Sequence, residues 1–248
     1  MQLFKKGTSP KIERDRKNSV TLLLAAAGSG TRLGGVSKPL LNLNGRPAIC
    51  YSLDVFCAVE DVTRIVISAK KDDIPTLWDI VKQGGYTKVI AIVEGGSTRQ
   101  GSVKKAFEAA FCEKRTDYVA IHDAARPLVT REAVEAVLLD ARTYGAAVCA
   151  SRIPDTVKRT DKVAMVTESV DRENLYGLQT PQVFSTDLYM SALAVARRDG
   201  IDATDDSSLV QHAGFRVKLT DACRTNFKIT YPDDVALAEL VLKSRASL

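Results

Sequence analysis

The sequence is poor in the residues that build metal clusters and disulfide frameworks. Its 248 residues include two histidines and five cysteines, and the cysteines are dispersed with no Cys-x-x-Cys pair. A zinc cluster needs about four Cys or His ligands at short spacings, so we do not expect one here. An odd number of scattered cysteines is typical of reduced core thiols, and this predicts a cytoplasmic protein.

Long apolar runs are also missing. No stretch approaches the roughly 18 uncharged apolar residues of a membrane span, and the 45% hydrophobic and 26% charged fractions are ordinary for a globular protein. The net charge of +5 owes much to the basic segment 1–19, so nucleic-acid binding is not indicated. We interpret 1–19 as a flexible extension and 20–248 as a single domain.

An alternative for the N-terminus is a secretory signal, because basic residues precede an apolar run and small residues. Glu13 and Asp15 within the basic segment argue against it. Cleavage there would also remove the first strand of a regular α/β pattern.

The first glycine-rich loop follows an apolar run at 20–24 that predicts a strand buried on both faces. Glycines at 28 and 30 let backbone N–H groups approach an anion, and Arg32 and Lys38 add two cations. The loop lacks the Gly-Lys-Ser/Thr of a P-loop, and Leu33 replaces the third glycine of a dinucleotide fingerprint. It is either a different polyphosphate cradle or an ordinary turn with solvated cations.

Strands alternate with helices of about 12 residues along most of the chain, which predicts an α/β fold with a doubly wound, mostly parallel, Rossmann-like sheet. The predicted strands after the first are 64–68, 88–93, 118–121, 146–150, 178–184 and 215–219. The predicted helices are 47–59, 72–83, one ending near 113, 130–144, 186–198, a short one from 203 and an amphipathic one from 232.

The rhythm changes over 153–176, where two polar, β-leaning runs flank a Thr-Asp-Lys turn. This pattern predicts a β-hairpin arm that is too polar for the core. A lone two-stranded hairpin is marginal in water, so we expect it to pack on a second copy of the chain. The alternative is a mobile surface hairpin without a partner.

Unusual loops follow three predicted strands, at 25–38, 94–102 and 122–127, and they should meet at the carboxyl edge of the sheet. The crevice is expected to contain Arg32, Lys38, Ser102, Asp123, Arg126, Thr204 and Lys228. Cations, hydroxyls and one carboxylate suit nucleotidyl transfer, which needs charge neutralisation more than a strong base.

Two residues beside this loop cluster have competing interpretations. Asp123 is either a ligand of Mg²⁺, which prefers one or two carboxylates with phosphate oxygens, or a capping residue. We interpret His122 as structural, and His212 as a surface or packing residue.

A series of motifs carries a family resemblance over about 20–245. In order they are Leu-Ala-Ala-Ala-Gly-Ser-Gly-Thr-Arg-Leu with Lys38, Glu-Gly-Gly-Ser-Thr-Arg-Gln-Gly-Ser-Val, His-Asp-Ala-Ala-Arg-Pro, Asp-Thr-Val-Lys, Val-Asp-Arg-x-x-Leu, Gln-Thr-Pro-Gln-x-Phe, Thr-Asp-Asp and Phe-Lys-Ile-Thr-x-Pro-Asp-Asp. Together they resemble the 2-C-methyl-D-erythritol 4-phosphate cytidylyltransferase family of the non-mevalonate isoprenoid pathway. Any one of them is a weak signal, but the ordered set is specific.

The resemblance implies a transfer of the cytidylyl group of CTP, with Mg²⁺, onto 2-C-methyl-D-erythritol 4-phosphate. It implies that CTP is held by Ala26, Ala27, Gly28, Gly96, Ser102 and Asp123, the last beside Mg²⁺. Arg32, Lys38 and Lys228 would be catalytic. The sugar-phosphate pocket would contain Arg126, Thr180 and Thr204, with Thr156 and Arg172 supplied by the arm of a homodimer partner.

Two positions depart from the family pattern. Ser37-Lys38-Pro39 stands where Pro-Lys-Gln is usual, and Ser97 replaces an acidic residue near the nucleotide. The lysine is kept, but the change at Ser97 removes a polar partner often found near the nucleotide ribose or base. Alternatives are a cytidylyltransferase for another polyol phosphate, such as ribitol 5-phosphate, and a nucleotide-binding module without turnover.

Overall fold

The computed structural model describes residues 13–28, 30–112, 114–221 and 224–246. The strands are β1 (Glu13–Arg14), β2 (Val20–Ala26), β3 (Asn42–Leu43), β4 (Arg46–Pro47), β5 (Val62–Ala69), β6 (Val89–Glu94), β7 (Lys114–Arg115), β8 (Tyr118–Asp123), β9 (Ala146–Arg152), β10 (Val157–Thr160), β11 (Val166–Val170), β12 (Tyr176–Ser185) and β13 (Lys218–Asp221). The α-helices are α1 (Ala48–Ala58), α2 (Ile74–Gln83), α3 (Arg99–Phe111), α4 (Arg131–Tyr144), α5 (Thr186–Asp199), α6 (Asp206–His212) and α7 (Pro232–Ala246).

Seven strands form the central sheet, in the order β13-β9-β12-β8-β2-β5-β6. Neighbours are parallel except where β12 pairs antiparallel with both β8 and β9. The predicted mostly parallel α/β sheet is therefore confirmed. Because β2, β6 and β8 run in the same direction, the loops after them leave the same edge of the sheet.

Helices cover both faces of the sheet. Successive side chains of β2 point to opposite faces and contact different helices. Leu22 and Leu24 pack in the core shared with α1, α2 and α4, while Leu23 packs against α3, α5 and α6. All three are at most 1% exposed. Fully burying each such side chain contributes about 1.5–3 kcal/mol, so β2 anchors the glycine-rich loop that follows it.

The N-terminal segment differs from the prediction. Strand β1 pairs parallel with β7, and the Thr63 hydroxyl donates to Asp15 Oδ2 at 2.8 Å. The Arg16 guanidinium donates to the Glu60 carbonyl at 2.5 Å. The prediction of a flexible extension is therefore wrong for residues 13–19, which pack against loops at the other edge of the sheet. Residues 1–12 lie outside the described part of the chain.

The predicted hairpin is present. Strands β10 and β11 are antiparallel, with Val157 opposite Val170, and they pair with each other rather than with the central sheet. Most of their side chains are exposed, in agreement with their polar composition. The hairpin and its connections, 153–176, are called the arm below.

Several boundaries shift in ways that local contacts explain. The short helix begins at Asp206, because the Asp205 carboxylate caps it by accepting from the Ser207 and Ser208 amides. Helix α7 buries Ala238 but leaves Leu237 and Leu240 exposed, so it is less clearly amphipathic than predicted. Among the helices of the described residues, none combines the length and apolarity that crossing a membrane requires.

Candidate active site

A crevice of about 380 Å³ opens at the carboxyl ends of β2, β6 and β8. It contains many of the predicted site residues. Those that line it are Ala26, Ala27, Gly28, Arg32, Lys38, Gly96, Ser102, Asp123 and Lys228. The expected convergence of the loops after these strands on one crevice is observed.

The loop after β2 is a tight backbone turn. Gly30 has a φ of +66°, and a Cβ at this position would collide with the Val36 carbonyl oxygen. The Gly30 carbonyl accepts from the amides of Leu33 and Gly35 at 2.8 and 3.0 Å. Only glycine fits here, and the turn places Arg32 and Lys38 at the rim of the crevice.

The loop after β6 is pinned to the start of α3. A Cβ on Gly96 would lie 2.8 Å from the Gly101 carbonyl carbon, so the close approach requires glycine. The Ser102 hydroxyl accepts from the Gly96 amide at 3.0 Å and donates to the Thr98 carbonyl at 2.9 Å. Ser102 therefore shapes the loop, and its contact with a nucleotide stays a prediction.

Asp123 ends β8 at the floor of the crevice between two cations. Lys228 Nζ donates to Oδ2 at 2.7 Å, and Arg99 Nε donates to Oδ1 at 3.1 Å. Burial alone would raise the pKa of Asp123, but the charges of Arg99 and Lys228 outweigh it and hold that pKa well below the usual range. The carboxylate is ionised at every physiological pH.

Lys38 and Arg32 bring positive charge to the same crevice. Lys38 Nζ donates to the Ile229 carbonyl at 2.8 Å, and the Arg32 guanidinium lies 5.8 Å from the Tyr231 ring centroid. Burial lowers the pKa of Lys38, and repulsion from Lys228 and Arg32 lowers it further. A site whose cations repel one another is suited to a polyanion that removes the repulsion.

His122 is completely buried behind the crevice. Its Nδ1 lies 2.9 Å from the Thr180 hydroxyl, and its Nε2 lies 3.2 Å from the Arg126 carbonyl. Because the Arg126 carbonyl can only accept, the neutral ring carries its proton on Nε2, and Nδ1 accepts from the Thr180 hydroxyl, whose oxygen accepts from the Asp123 amide. Burial lowers the pKa of His122 to about 4, so the ring is neutral at pH 7, in agreement with a structural role.

The residues predicted for the acceptor pocket lie outside this crevice. The Arg126 guanidinium turns back to donate to the Asn226 carbonyl at 2.7 Å. Thr204 is exposed beside the start of α6, and Thr156 lies in the arm. Arg172, also in the arm, lines a second cavity of about 410 Å³. Arg126 and Thr204 are therefore not among the residues that line the crevice with Arg32, Lys38 and Lys228, and their contact with an acceptor stays a prediction.

Sequence reasoning gave no role to Arg99, although it stands inside a quoted motif. The structure places it in the first turn of α3, paired with Asp123 and with Asp206 at 2.7 Å. A cation at a helix N-terminus is disfavoured by the helix dipole, so its presence there is a signal that carboxylates compensate it.

Comparisons with known proteins match this architecture. A family model described as 2-C-methyl-D-erythritol 4-phosphate cytidylyltransferase matches residues 20–244. The protein of that name from Desulforamulus reducens is 37% identical over 229 residues, which is 92% of this chain and 97% of the relative.

Solved structures give the same result. The 4-diphosphocytidyl-2C-methyl-D-erythritol synthase of Anaerococcus prevotii has a TM-score of 0.79 and 27% identity, covering 91% of this chain and 98% of that one. The 2-C-methyl-D-erythritol 4-phosphate cytidylyltransferase of Thermus thermophilus has a TM-score of 0.73 and 34% identity, covering 91% and 99%. The span matched by the family model, 20–244, includes the strands of the central sheet, the crevice loops and the arm.

Proposed function

This chain belongs to the 2-C-methyl-D-erythritol 4-phosphate cytidylyltransferase family, and we propose that its reaction takes place in the crevice at the carboxyl ends of β2, β6 and β8. The chain is a CTP-dependent nucleotidyltransferase that forms 4-diphosphocytidyl-2-C-methyl-D-erythritol and pyrophosphate. This location is supported by three cations, Arg32, Lys38 and Lys228, that line the same crevice.

The chemistry needs no protein base. A phosphate oxygen of the methylerythritol phosphate attacks the α-phosphorus of CTP and forms the new P–O bond. The bond from that phosphorus to the bridging oxygen breaks, and its electron pair leaves with pyrophosphate. A phosphate monoester has a second pKa of about 6, so the nucleophile is already mostly dianionic at pH 7. The buried, neutral His122 agrees with this, because the reaction does not require a histidine as a base.

Charge neutralisation is the protein's main contribution. We propose that Arg32, Lys38 and Lys228 neutralise the negative charge that grows on the phosphates as the α-phosphorus becomes five-coordinate. The backbone of Ala26, Ala27, Gly28 and Gly96, together with Ser102, would hold CTP; all of these line the crevice. Lys38 and Lys228 are held by the Ile229 carbonyl and by Asp123, so both are positioned before substrate arrives.

A divalent cation is commonly used by such nucleotidyltransferases, and we propose Mg²⁺. The described residues contain no cluster of three or more Asp, Glu, His or Cys able to hold a metal by themselves. Asp123 fits the smaller requirement of Mg²⁺, which takes one or two carboxylates and completes its shell with phosphate oxygens. Each Asp123 oxygen accepts one hydrogen bond and retains a lone pair for the ion. Bound there, Mg²⁺ would neutralise charge on the triphosphate.

We further propose a homodimer whose arms complete the acceptor pockets. The arm carries exposed apolar side chains near its tip, with Val163, Met165 and Val166 exposed by 77, 66 and 62%. A second copy would cover them and would bring Thr156 and Arg172 toward the pocket of Arg126, Thr180 and Thr204. Residues 20–248 would then act as one domain per subunit, in a cytoplasmic enzyme.

The dimer is tested by mass and by complementation. Sedimentation should give about twice 26.9 kDa for the wild type. Lys38→Ala and Arg172→Ala are each expected to be nearly inactive, because one loses a charge of the crevice and the other a group donated across the interface. Refolding the two variants together should restore activity, since mixed dimers contain one site with neither change. A fully active monomer, or no recovery on mixing, would exclude a shared site.

The identity of the acceptor is tested by comparing the two sugar phosphates as substrates. With CTP and Mg²⁺, the rate of pyrophosphate release should be far higher with 2-C-methyl-D-erythritol 4-phosphate than with ribitol 5-phosphate. Product formation is confirmed by phosphorus NMR of the diphosphate linkage. A preference for ribitol 5-phosphate would overturn the proposed acceptor, and release with neither compound would overturn the proposed location and reaction together.

A further inference from the structure

One side chain joins the floor of the crevice to a distant part of the chain. Arg99 Nε donates to Asp123 Oδ1 at 3.1 Å, while Arg99 Nη1 donates to Asp206 Oδ2 at 2.7 Å. The Asp206 side chain is 1% exposed, and its other oxygen accepts from the Tyr189 hydroxyl at 2.6 Å. The result is a continuous series of polar contacts, largely out of solvent, from Asp123 through Arg99 and Asp206 to Tyr189 of α5.

The next residue of α3 makes a second attachment to the same region. The Gln100 side-chain amide donates to the Ile201 carbonyl at 3.1 Å, and its oxygen accepts from the Ala203 amide at 2.7 Å. Residues 201–206, called the anchored segment here, contain no regular structure before Asp206. Their backbone is therefore held by the first turn of α3.

Electrostatics explains why the first attachment must be an arginine. Two nearly buried carboxylates share this site, and each would be costly to ionise without a cation. The planar guanidinium presents several N–H groups in a fixed fork, so one side chain can serve both carboxylates at once. Lysine, with a single charged nitrogen, could hold only one of them well. Arg99 itself stays charged, because both carboxylates raise its pKa despite its burial.

We propose that Arg99 is a positioning residue that fixes the Asp123 carboxylate and, with Gln100, holds the anchored segment that presents Thr204. This rests on the proposed function, because Thr204 faces the acceptor only if the reaction is the one proposed. Arg99 touches neither substrate in this role. It sets the distance between the nucleotide side of the site, at Asp123, and the acceptor side, at Thr204.

Three variants separate the two attachments. Arg99→Gln removes both ion pairs, Asp206→Asn weakens the link to the segment while leaving Asp123 paired, and Gln100→Ala releases only the backbone of 201 and 203. Lys104→Ala is the control, because Lys104 lies on the same helix with its side chain 53% exposed and forms a surface ion pair with Glu108 at 3.8 Å.

The first measurement is amide hydrogen exchange of the substrate-free protein. Exchange over 201–206 should accelerate by on the order of 10-fold or more in all three variants and stay at the wild-type rate in Lys104→Ala. The second is steady-state kinetics. Gln100→Ala and Asp206→Asn should raise KM for the sugar phosphate about 5–10-fold with KM for CTP little changed, whereas Arg99→Gln should affect both and lower kcat/KM by on the order of 10²-fold. Compared with Arg99→Gln, Arg99→Lys should bring the KM for CTP closer to the wild-type value than the KM for the sugar phosphate.

Unchanged exchange over 201–206 in Gln100→Ala and Asp206→Asn would overturn the proposal. So would an increase in the KM for CTP, in these two variants, equal to the increase in the KM for the sugar phosphate. These two variants decide the matter even if Arg99→Gln does not fold. Exchange is measured without substrate, so the anchoring can fail while the wild type still forms product. Conversely, the anchoring can be observed in a wild-type protein that forms no product, and that result would refute only the proposed function.

Discussion

Replacing Lys38 with alanine is expected to lower kcat by on the order of 10²–10³-fold, with a much smaller change in KM for CTP. Lys38 is held by the Ile229 carbonyl at 2.8 Å, so its ammonium group is placed before substrate binds. Repulsion from Lys228 and Arg32 is relieved when negative charge enters the crevice, and most completely when that charge is greatest. This favours the transition state over bound CTP. Initial rates at saturating acceptor and varied CTP give both kcat and the KM for CTP.

Two further variants make the Lys38 result interpretable. Lys82→Ala removes an exposed lysine at the end of α2 and should leave kcat unchanged. Lys38→Arg keeps the charge but changes its position, so its kcat should fall between those of the wild type and Lys38→Ala. Equal losses in kcat and in CTP affinity for Lys38→Ala would assign the lysine to ordinary substrate binding instead.

The fold was predictable because its signals are local and repeated. The apolar run of β2 needs no partner to be recognised as a doubly buried strand. Helix α4 lies within the predicted range 130–144, and the hydroxyl of Thr130 caps it by accepting from the Ala133 amide at 3.2 Å. The edge that gathers the loops follows from parallel pairing alone. Polar composition likewise identified the arm, whose strands pair only with each other among the described residues.

What the sequence did not show depends on long-range contacts. The two-residue strand β1 has no periodic pattern, and it is defined only by pairing with β7 about a hundred residues later. The rotation of Arg126 toward the Asn226 carbonyl depends on a backbone group, and side-chain type carries no information about it. Arg99 was missed because its partners, Asp123 and Asp206, stand in two other motifs.

Changing Asp123 to asparagine is expected to separate nucleotide binding from turnover. The amide has nearly the same volume but no charge, so Lys228 and Arg99 lose their shared counter-ion. Removing negative charge from the crevice should leave CTP binding without metal at least as tight as in the wild type. Turnover with Mg²⁺ should still fall by on the order of 10³-fold, because the only crevice-lining carboxylate we assign to the ion is lost. Calorimetric titration with CTP, with and without Mg²⁺, measures the first effect and initial rates the second.

The same substitution has a pH signature with a definite sign. Asp123 is one of the charges that raise the pKa of Lys38, so its removal lowers that pKa further. If protonated Lys38 is needed for turnover, the alkaline limb of the kcat profile moves to lower pH in Asp123→Asn. Asp72→Asn, at an exposed position beyond β5, is the matched control and should keep the wild-type limb. An unshifted limb, or turnover within about 3-fold of the wild type, would mean that Asp123 does not organise these charges. A shifted limb with intact CTP binding would place Asp123 and Lys38 in one electrostatic unit, as their common position in the crevice requires.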